Sequence, residues 1–285
     1  MLWSNGRLVE GGTLPFAMGD RGLLLGDGVF DTALAIQGQV AFEAAHVARL
    51  AAAAEVLGFA IARERIVEAM RALASTAPLA AIRTTLTRGP GPRGLAPPPE
   101  PNPFLFGSAA PARAALFFAP LRLALTQIAR NETSPAARLK TLGYLDAVLA
   151  ARAAQAQGFD EALFLNTRGR VACVGTGNVF AILGGTLVTP PLEDGVLPGI
   201  VRAELVARIA PSLGIAVEER PLLPSDLAAA EALFVTNSLR LLAPVTALGA
   251  QPYDSAGHGT VRSLYAALRE TVAAECGVEA DALDP

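Results

Sequence analysis

Of the 23 lysine and arginine residues in this 285-residue chain, one alone is lysine: Lys140, in "ARLKTLGYL". Arginine supplies positive charge as well as lysine does, and its planar fork of donors suits carboxylates and phosphates better, so charge does not explain the exception. What arginine cannot do is lose a proton near neutral pH and attack a carbonyl; a desolvated lysine can, forming a Schiff base. The competing reading is a surface lysine that escaped an arginine-favouring composition. Its solitude favours the chemical one.

A Schiff-base lysine needs an electrophile, and the commonest one held as a cofactor is pyridoxal 5′-phosphate, which also demands a phosphate pocket. "LPGIVRAEL" offers a pocket: Gly199 allows close backbone approach, and the N–H groups of Gly199, Ile200 and Val201 at a helix start would face an anion. An ordinary Pro-Gly turn before a helix is the alternative. Thr236, Asn237 and Ser238, closing the apolar run "ALFVTNSL", can donate further hydrogen bonds. Arg49 in "HVARL" either adds the neutralising charge or lies solvated on its helix.

These residues must be held by regular elements, and the pattern supplies them. Asn5-Gly6 and Gln37-Gly38 predict tight turns between paired strands. "EAAHVARLAAAAEVLGF" and "RERIVEAMRALAST" carry apolar residues at helical spacing, and "AAIRTTLTRG" reads as a strand. "PGPRGLAPPPEPNP" is too rich in proline and glycine for a regular element; with Arg88 and Arg93 it is a candidate binding loop. "ARAALFFAPLRLALTQIAR" offers two strands broken at Pro120, where a domain boundary is expected, giving domains 1–119 and 120–285 with Lys140 in the second. Beyond it the sequence predicts a helix after Lys140, a strand at "EALFLN", a turn at "NTRGR" and a hairpin over "NVFAILGGTLVTP". Then come a helix from Gly199, strands at "AVEER" and "ALFVTNSL", and a closing helix over "HGTVRSLYAALRETVAAE". The fold class expected is α+β in two domains.

Composition narrows the function. A net charge of −3 and a pI near 5.5, with no basic run, argue against a nucleic-acid partner. Mean hydropathy is +0.41, largely from alanine, and no stretch reaches the roughly 18 apolar residues of a membrane span. The start "MLWSNGRLVEGG" lacks the pattern of a signal peptide, so a cytoplasmic location is expected. Cys173 and Cys276 form neither a disulfide framework nor, with His46 and His258, a metal pattern.

Taken together, "DRGLLLGDGVFDT", "HVARL", "RGPGPRG", "LKTLGYL", "GFDEALFLN", "GNVF", "TPPLEDGVLPGIVR" and "TNSLRLLAPV" resemble, in order and spacing, the class IV aminotransferases. These are fold-type IV pyridoxal-phosphate enzymes that include D-amino acid and branched-chain aminotransferases and aminodeoxychorismate lyases. The resemblance implies a homodimer of two-domain subunits, with the site between domains and closed by a loop of the neighbouring subunit. It places Lys140 as the Schiff-base lysine that also shuttles the substrate α-proton, and Arg49 as the phosphate arginine. Ile200 and Val201 match the backbone donors to phosphate, Asn237 and Ser238 its polar partners, and Leu197 an apolar contact to the ring. Tyr144 is a candidate partner for the ring hydroxyl.

One position departs from the family. Cys173, five before Asn178, stands where the family usually has a glutamate paired with the pyridine nitrogen, and a thiol holds that nitrogen's proton less well. For substrate, Arg93 matches the arginine that D-amino acid aminotransferases use across the dimer to bind the α-carboxylate. Leu95 replaces the histidine that follows it, and Phe30 lines the substrate pocket without a hydroxyl. The expected activity is transfer of an amino group between an amino acid, of D configuration, and a 2-oxo acid. A lyase giving 4-aminobenzoate and pyruvate is the alternative, and a non-catalytic cofactor-binding protein a third.

Overall fold

The computed structural model describes residues 1–283. It divides into two compact units: Met1–Arg113 with Leu139–Gly143 and Val272–Glu279, and Ala114–Arg138 with Tyr144–Thr271 and residues 280–283.

The first unit is built on six strands, β1 (Leu2–Ser4), β2 (Arg7–Val9), β3 (Gly28–Ile36), β4 (Gln39–Val40), β5 (Leu79–Thr87) and β6 (Phe104–Pro111), in the order β2-β1-β6-β5-β3-β4. Every pairing is antiparallel. The two short hairpins turn at Asn5-Gly6 and Gln37-Gly38, all four residues with positive φ, which is the backbone a two-residue turn needs to match strand twist. A short helix, α1 (Arg21–Leu25), precedes β3. Two longer ones, α2 (Glu43–Val56) and α3 (Arg63–Ala74), pack on the sheet. In α3 the buried residues are Ile66, Ala69, Met70, Leu73 and Ala74, the apolar stripe that the sequence spacing predicts.

The second unit carries β7 (Leu121–Leu125), β8 (Glu161–Leu165), β9 (Val171–Val174), β10 (Asn178–Leu183), β11 (Thr186–Thr189), β12 (Val217–Glu219), β13 (Ala232–Asn237), β14 (Leu241–Leu248) and β15 (Gln251–Pro252). They form one mixed sheet in the order β12-β11-β10-β13-β14-β7-β8-β9, with β15 paired to β14. Its helices are α4 (Leu145–Ala156), α5 (Ile200–Glu204), α6 (Ala210–Ser212), α7 (Pro224–Ala228) and α8 (Gly259–Cys276), the last ending in the first unit. Between α5 and α6 lies one π-turn, Leu205–Ile209. Pro211 follows it, and the wider turn accommodates a residue that has no N–H and crowds the preceding carbonyl.

The expected strand before Pro120 needs correction, and two strands were not expected at all. The segment before Pro120 is a 3₁₀ turn at Ala114–Leu116, leaving β7 as the only strand there. β6 and β14 were hidden by Gly107 and Pro244 in their interiors. A Cβ on Gly107 would stand 2.5 Å from Leu73 Cδ1 and 2.8 Å from Arg83 O, so the glycine marks close approach rather than a break. The division by contacts also puts Leu139–Gly143 with the first unit, because Phe30 N–H donates to Lys140 O (2.9 Å) and Leu142 N–H to Gly28 O (3.1 Å).

Candidate active site

In the first unit Lys140 is laid against β3. Those two backbone bonds, with the bridge between Val29 and Thr141, require glycine at 28: an added Cβ would come within 2.7 Å of Leu86 O and 2.8 Å of Leu142 Cδ1. Lys140 Nζ then lies 4.4 Å from the centre of the Phe30 ring, and Arg83 Cζ lies 3.5 Å from the same ring. Burial above all, together with Arg49 and Arg83, lowers the pKa of the amine from 10.5 to about 8, with Asp31 acting in the opposite direction. The amine is thereby poised to exist unprotonated near neutral pH, as a nucleophile must.

Arg49 is committed to Asp31. Its Nε and Nη2 each lie 2.8 Å from one carboxylate oxygen, and His46 Nδ1 lies 2.7 Å from Oδ1. Burial alone would raise the pKa of Asp31, but His46 and Arg49 outweigh it and hold the carboxyl far below the usual range. The first unit thus gathers Lys140 and Arg83 about Phe30, and His46 and Arg49 about Asp31; Asp31, His46 and Arg83 are not among the site residues expected from sequence. Asp31 had a signal: it is the one charged residue in the apolar strand "GVFDTALAI", and His46 and Arg49 lie three apart on α2.

The loop between β5 and β6 is gripped from beneath. Arg21 is buried, donates Nε to Asp27 (2.8 Å), and donates its other nitrogens to the carbonyls of Gly94 (3.0 Å) and Leu95 (2.8 Å). Arg88 is also buried and donates to the same Asp27 oxygen at 2.7 Å, so it is structural rather than a binding residue of the loop surface. Arg93 and Leu95 are exposed on that loop.

In the second unit Asn178, at the start of β10, organises the expected phosphate cradle. Its Nδ2 donates to Leu197 O at 2.9 Å, and a Cβ on Gly199 would collide with its Oδ1. Gly199 caps α5, leaving the N–H groups of Ile200 and Val201 in its first turn, where helix geometry provides no acceptor. Asn237 Oδ1 accepts from the backbone of Leu239 (3.0 Å) and Arg240 (2.8 Å), shaping the turn that carries Ser238. Beside it Thr236 Oγ1 is buried with no hydrogen-bond partner among the described residues. Buried hydroxyls are normally satisfied. An orphaned hydroxyl, helix-start amides and a glycine-only approach together fit a phosphate.

Cys173 on β9 is buried, and its neighbour is a guanidinium: Arg130 Nη2 donates to Sγ at 3.4 Å. Burial raises the thiol pKa, while Arg130 pulls it down. Arg130 also lies over the Phe164 ring, 5.1 Å from its centre. Among the described residues there is no group of acids, histidines or cysteines that could hold a metal, and no helix is long and apolar enough to cross a membrane.

The model of the amino-transferase class IV family matches residues 28–248, a span holding the Lys140 cluster and the phosphate cradle. The chain belongs to the class IV aminotransferase family. Its members are enzymes dependent on pyridoxal 5′-phosphate, and the cradle and amine fit that group. A protein of Methanocaldococcus jannaschii, provisionally named a branched-chain-amino-acid aminotransferase, is 34% identical over 252 residues, 86% of each chain. The solved 4-amino-4-deoxychorismate lyase of Pseudomonas aeruginosa is 29% identical with a TM-score of 0.84, covering 95% of this chain and 98% of its own. The branched-chain aminotransferase of Thermoproteus uzoniensis is 26% identical with a TM-score of 0.87, covering 96% and 95%. The fold is thus of type IV.

Proposed function

We propose that this class IV enzyme is a transaminase moving an amino group between an amino acid with an aliphatic side chain and a 2-oxo acid, with Lys140 as its catalytic amine. The observation that carries the catalytic assignment is the solitary lysine, set beside Phe30 with its pKa lowered to about 8. The aliphatic preference is supported by the relative matched over 86% of both chains and by Phe30, which brings no hydroxyl to the expected substrate pocket. The D configuration rests on Arg93 alone.

When bound, pyridoxal phosphate supplies an aldehyde open to amines and a ring that draws electrons from the substrate α-carbon. Ile200 and Val201 N–H, Ser238 and Thr236 Oγ1 would hold its phosphate, with Gly199 allowing the approach, and by the family pattern Arg49 would supply charge and Leu197 an apolar contact to the ring. Lys140 Nζ, unprotonated in part at neutral pH, would hold the cofactor and would serve as the base that takes the substrate α-proton and the acid that returns it. Phe30 covers the amine and excludes water, and Arg93 anchors the substrate carboxylate, contributed across a homodimer. Cys173, with Arg130 beside it, would offer a ring nitrogen placed there no carboxylate, and that nitrogen would hold its proton less well than in relatives bearing glutamate.

The second reading is a lyase acting on aminodeoxychorismate, favoured by the "RGPGPRG" loop and the Pseudomonas neighbour. A panel of D- and L-valine, leucine and alanine, each monitored for loss of the cofactor's aldehyde absorbance, tests the proposal. Aliphatic amino acids should discharge that absorbance, and one enantiomer should dominate. Pyruvate released from aminodeoxychorismate with no response to any amino acid would replace the transaminase with the lyase.

A further inference from the structure

Residues 92–101, in the connection from β5 to β6, form no helix or strand. Among the described residues, the hydrogen bonds that reach this stretch all come from one side chain, Arg21. Its Nη1 donates to Gly94 O (3.0 Å) and Ala96 O (3.4 Å), its Nη2 to Leu95 O (2.8 Å), and its Nε to Asp27 Oδ2 (2.8 Å). Three consecutive carbonyls thus turn inward onto one planar fork of donors. The cation is 4% exposed, while the Leu95 side chain above it is 84% exposed. Gly91 makes room for the arginine stem, since a Cβ there would stand 2.8 Å from Arg21 Cδ.

The base of the fork is itself fixed. Asp20 accepts from Gly22 N–H (2.7 Å) and from the Thr87 hydroxyl (2.7 Å), and Arg21 N–H donates to Gly89 O (3.0 Å). A Cβ on Gly22 would come within 2.3 Å of Thr87 Cγ2. The triplet Asp20-Arg21-Gly22 therefore ties the stem of the loop, at Thr87 and Gly89, and its tip, at residues 94–96, to the same short turn of chain.

We propose that Arg21 is a positioning residue for the substrate loop: its guanidinium fixes the tip in one conformation, and with it the backbone that aims Arg93, before substrate arrives. Arg93 immediately precedes the three carbonyls that Arg21 holds. A tip rich in glycine and proline, with no backbone hydrogen bonds of its own, would otherwise lose its conformational freedom only on binding substrate, and affinity would fall accordingly. The effect of removing Arg21 should therefore appear in KM rather than kcat. The functional half of this inference rests on Arg93 being the carboxylate anchor; the structural half does not.

An arginine-specific protease cutting the holoenzyme after Arg93 reads the loop without reference to turnover. Arg21→Met should be cut there at least about tenfold faster than wild type, while cutting after Arg113, also exposed and outside regular elements, stays unchanged and excludes general unfolding. Arg21→Lys keeps a charge beside Asp27 but has no fork to span three carbonyls as well, so it should be cut nearly as fast as Arg21→Met. If Arg21→Met does not fold, Gly91→Ala, whose methyl displaces the Arg21 stem, should speed the same cut. In the assay with amino acids, Arg21→Met should raise KM about tenfold, hold kcat within about twofold, and add nothing in an Arg93→Leu background. Wild-type cutting after Arg93 in the variant that folds, or an unchanged KM where Arg93→Leu raises it, overturns the proposal. An Arg93→Leu enzyme with unaltered KM refutes the carboxylate anchor instead, and the protease then decides the loop assignment alone.

Discussion

Replacing Lys140 with methionine should stabilise the cofactor-free chain at pH 7. The folded state binds the amine's proton with a pKa of about 8 against 10.5 for an unhindered lysine, so folding works against protonation. At about 1.4 kcal/mol per pH unit, the gap withholds about 3 kcal/mol of stability wherever the unfolded chain is protonated. The sign follows from proton counting. Below about pH 8 both states carry the proton and the cost is fully present. Between 8 and 10.5 the folded state releases it first, the unfolded state binds more protons, and stability rises with pH. Above 10.5 the cost is gone. Urea unfolding of the wild-type and Lys140→Met chains should therefore differ by about 3 kcal/mol at pH 7, and the difference should shrink steadily from pH 8 to 10. A methionine that stabilises equally at every pH would show a packing gain instead. One that destabilises at pH 7 would refute the claim that the amine is held at a cost, which is the structural signature of a residue kept for chemistry rather than stability.

Gly199→Ala should weaken cofactor retention at least tenfold while leaving the apo fold intact, because the new methyl displaces Asn178 from the loop that presents Ile200 and Val201; equilibrium dialysis against pyridoxal phosphate checks it. Arg93→Leu should raise KM for amino acids by on the order of tenfold or more, through loss of a charge-assisted contact, and leave turnover of amines lacking a carboxylate unchanged; equal losses count against the anchor role. Cys173→Glu should form an ion pair with Arg130 and raise the pH at which the cofactor's ring nitrogen loses its proton, read by ¹⁵N chemical shift of labelled cofactor; an unmoved shift removes Cys173 from the ring.

Much of the fold was legible because its signals are local. The turns at Asn5-Gly6 and Gln37-Gly38 announce themselves through residues that tolerate positive φ, and α2 and α3 through apolar spacing. β6 and β14 were not legible, since Gly107 and Pro244 break their strand patterns; at Gly107 the reason is close approach to Leu73 and Arg83, which no local window contains. In the site, Lys140 could be found from composition alone, and the "LPGIV" turn from helix-start chemistry. The function of Asn178 and Asp31 could not, because each acts on a residue distant in sequence: Asn178 on Leu197 and Gly199, Asp31 on His46 and Arg49. Arg88 shows the reverse error. A basic residue beside a proline- and glycine-rich loop looks like a ligand in sequence, and its buried bond to Asp27 makes it part of the frame.

The central claim is that Lys140 carries the cofactor. Reduction of the pyridoxal-phosphate-loaded enzyme with borohydride, followed by proteolysis and mass mapping, measures this directly. The account predicts one phosphopyridoxyl adduct, on the peptide containing Lys140, and its absence from Lys140→Arg together with loss of the visible cofactor absorbance. An adduct confined to the α-amino group of Met1, or an Arg variant that keeps the spectrum of the wild type, would contradict it.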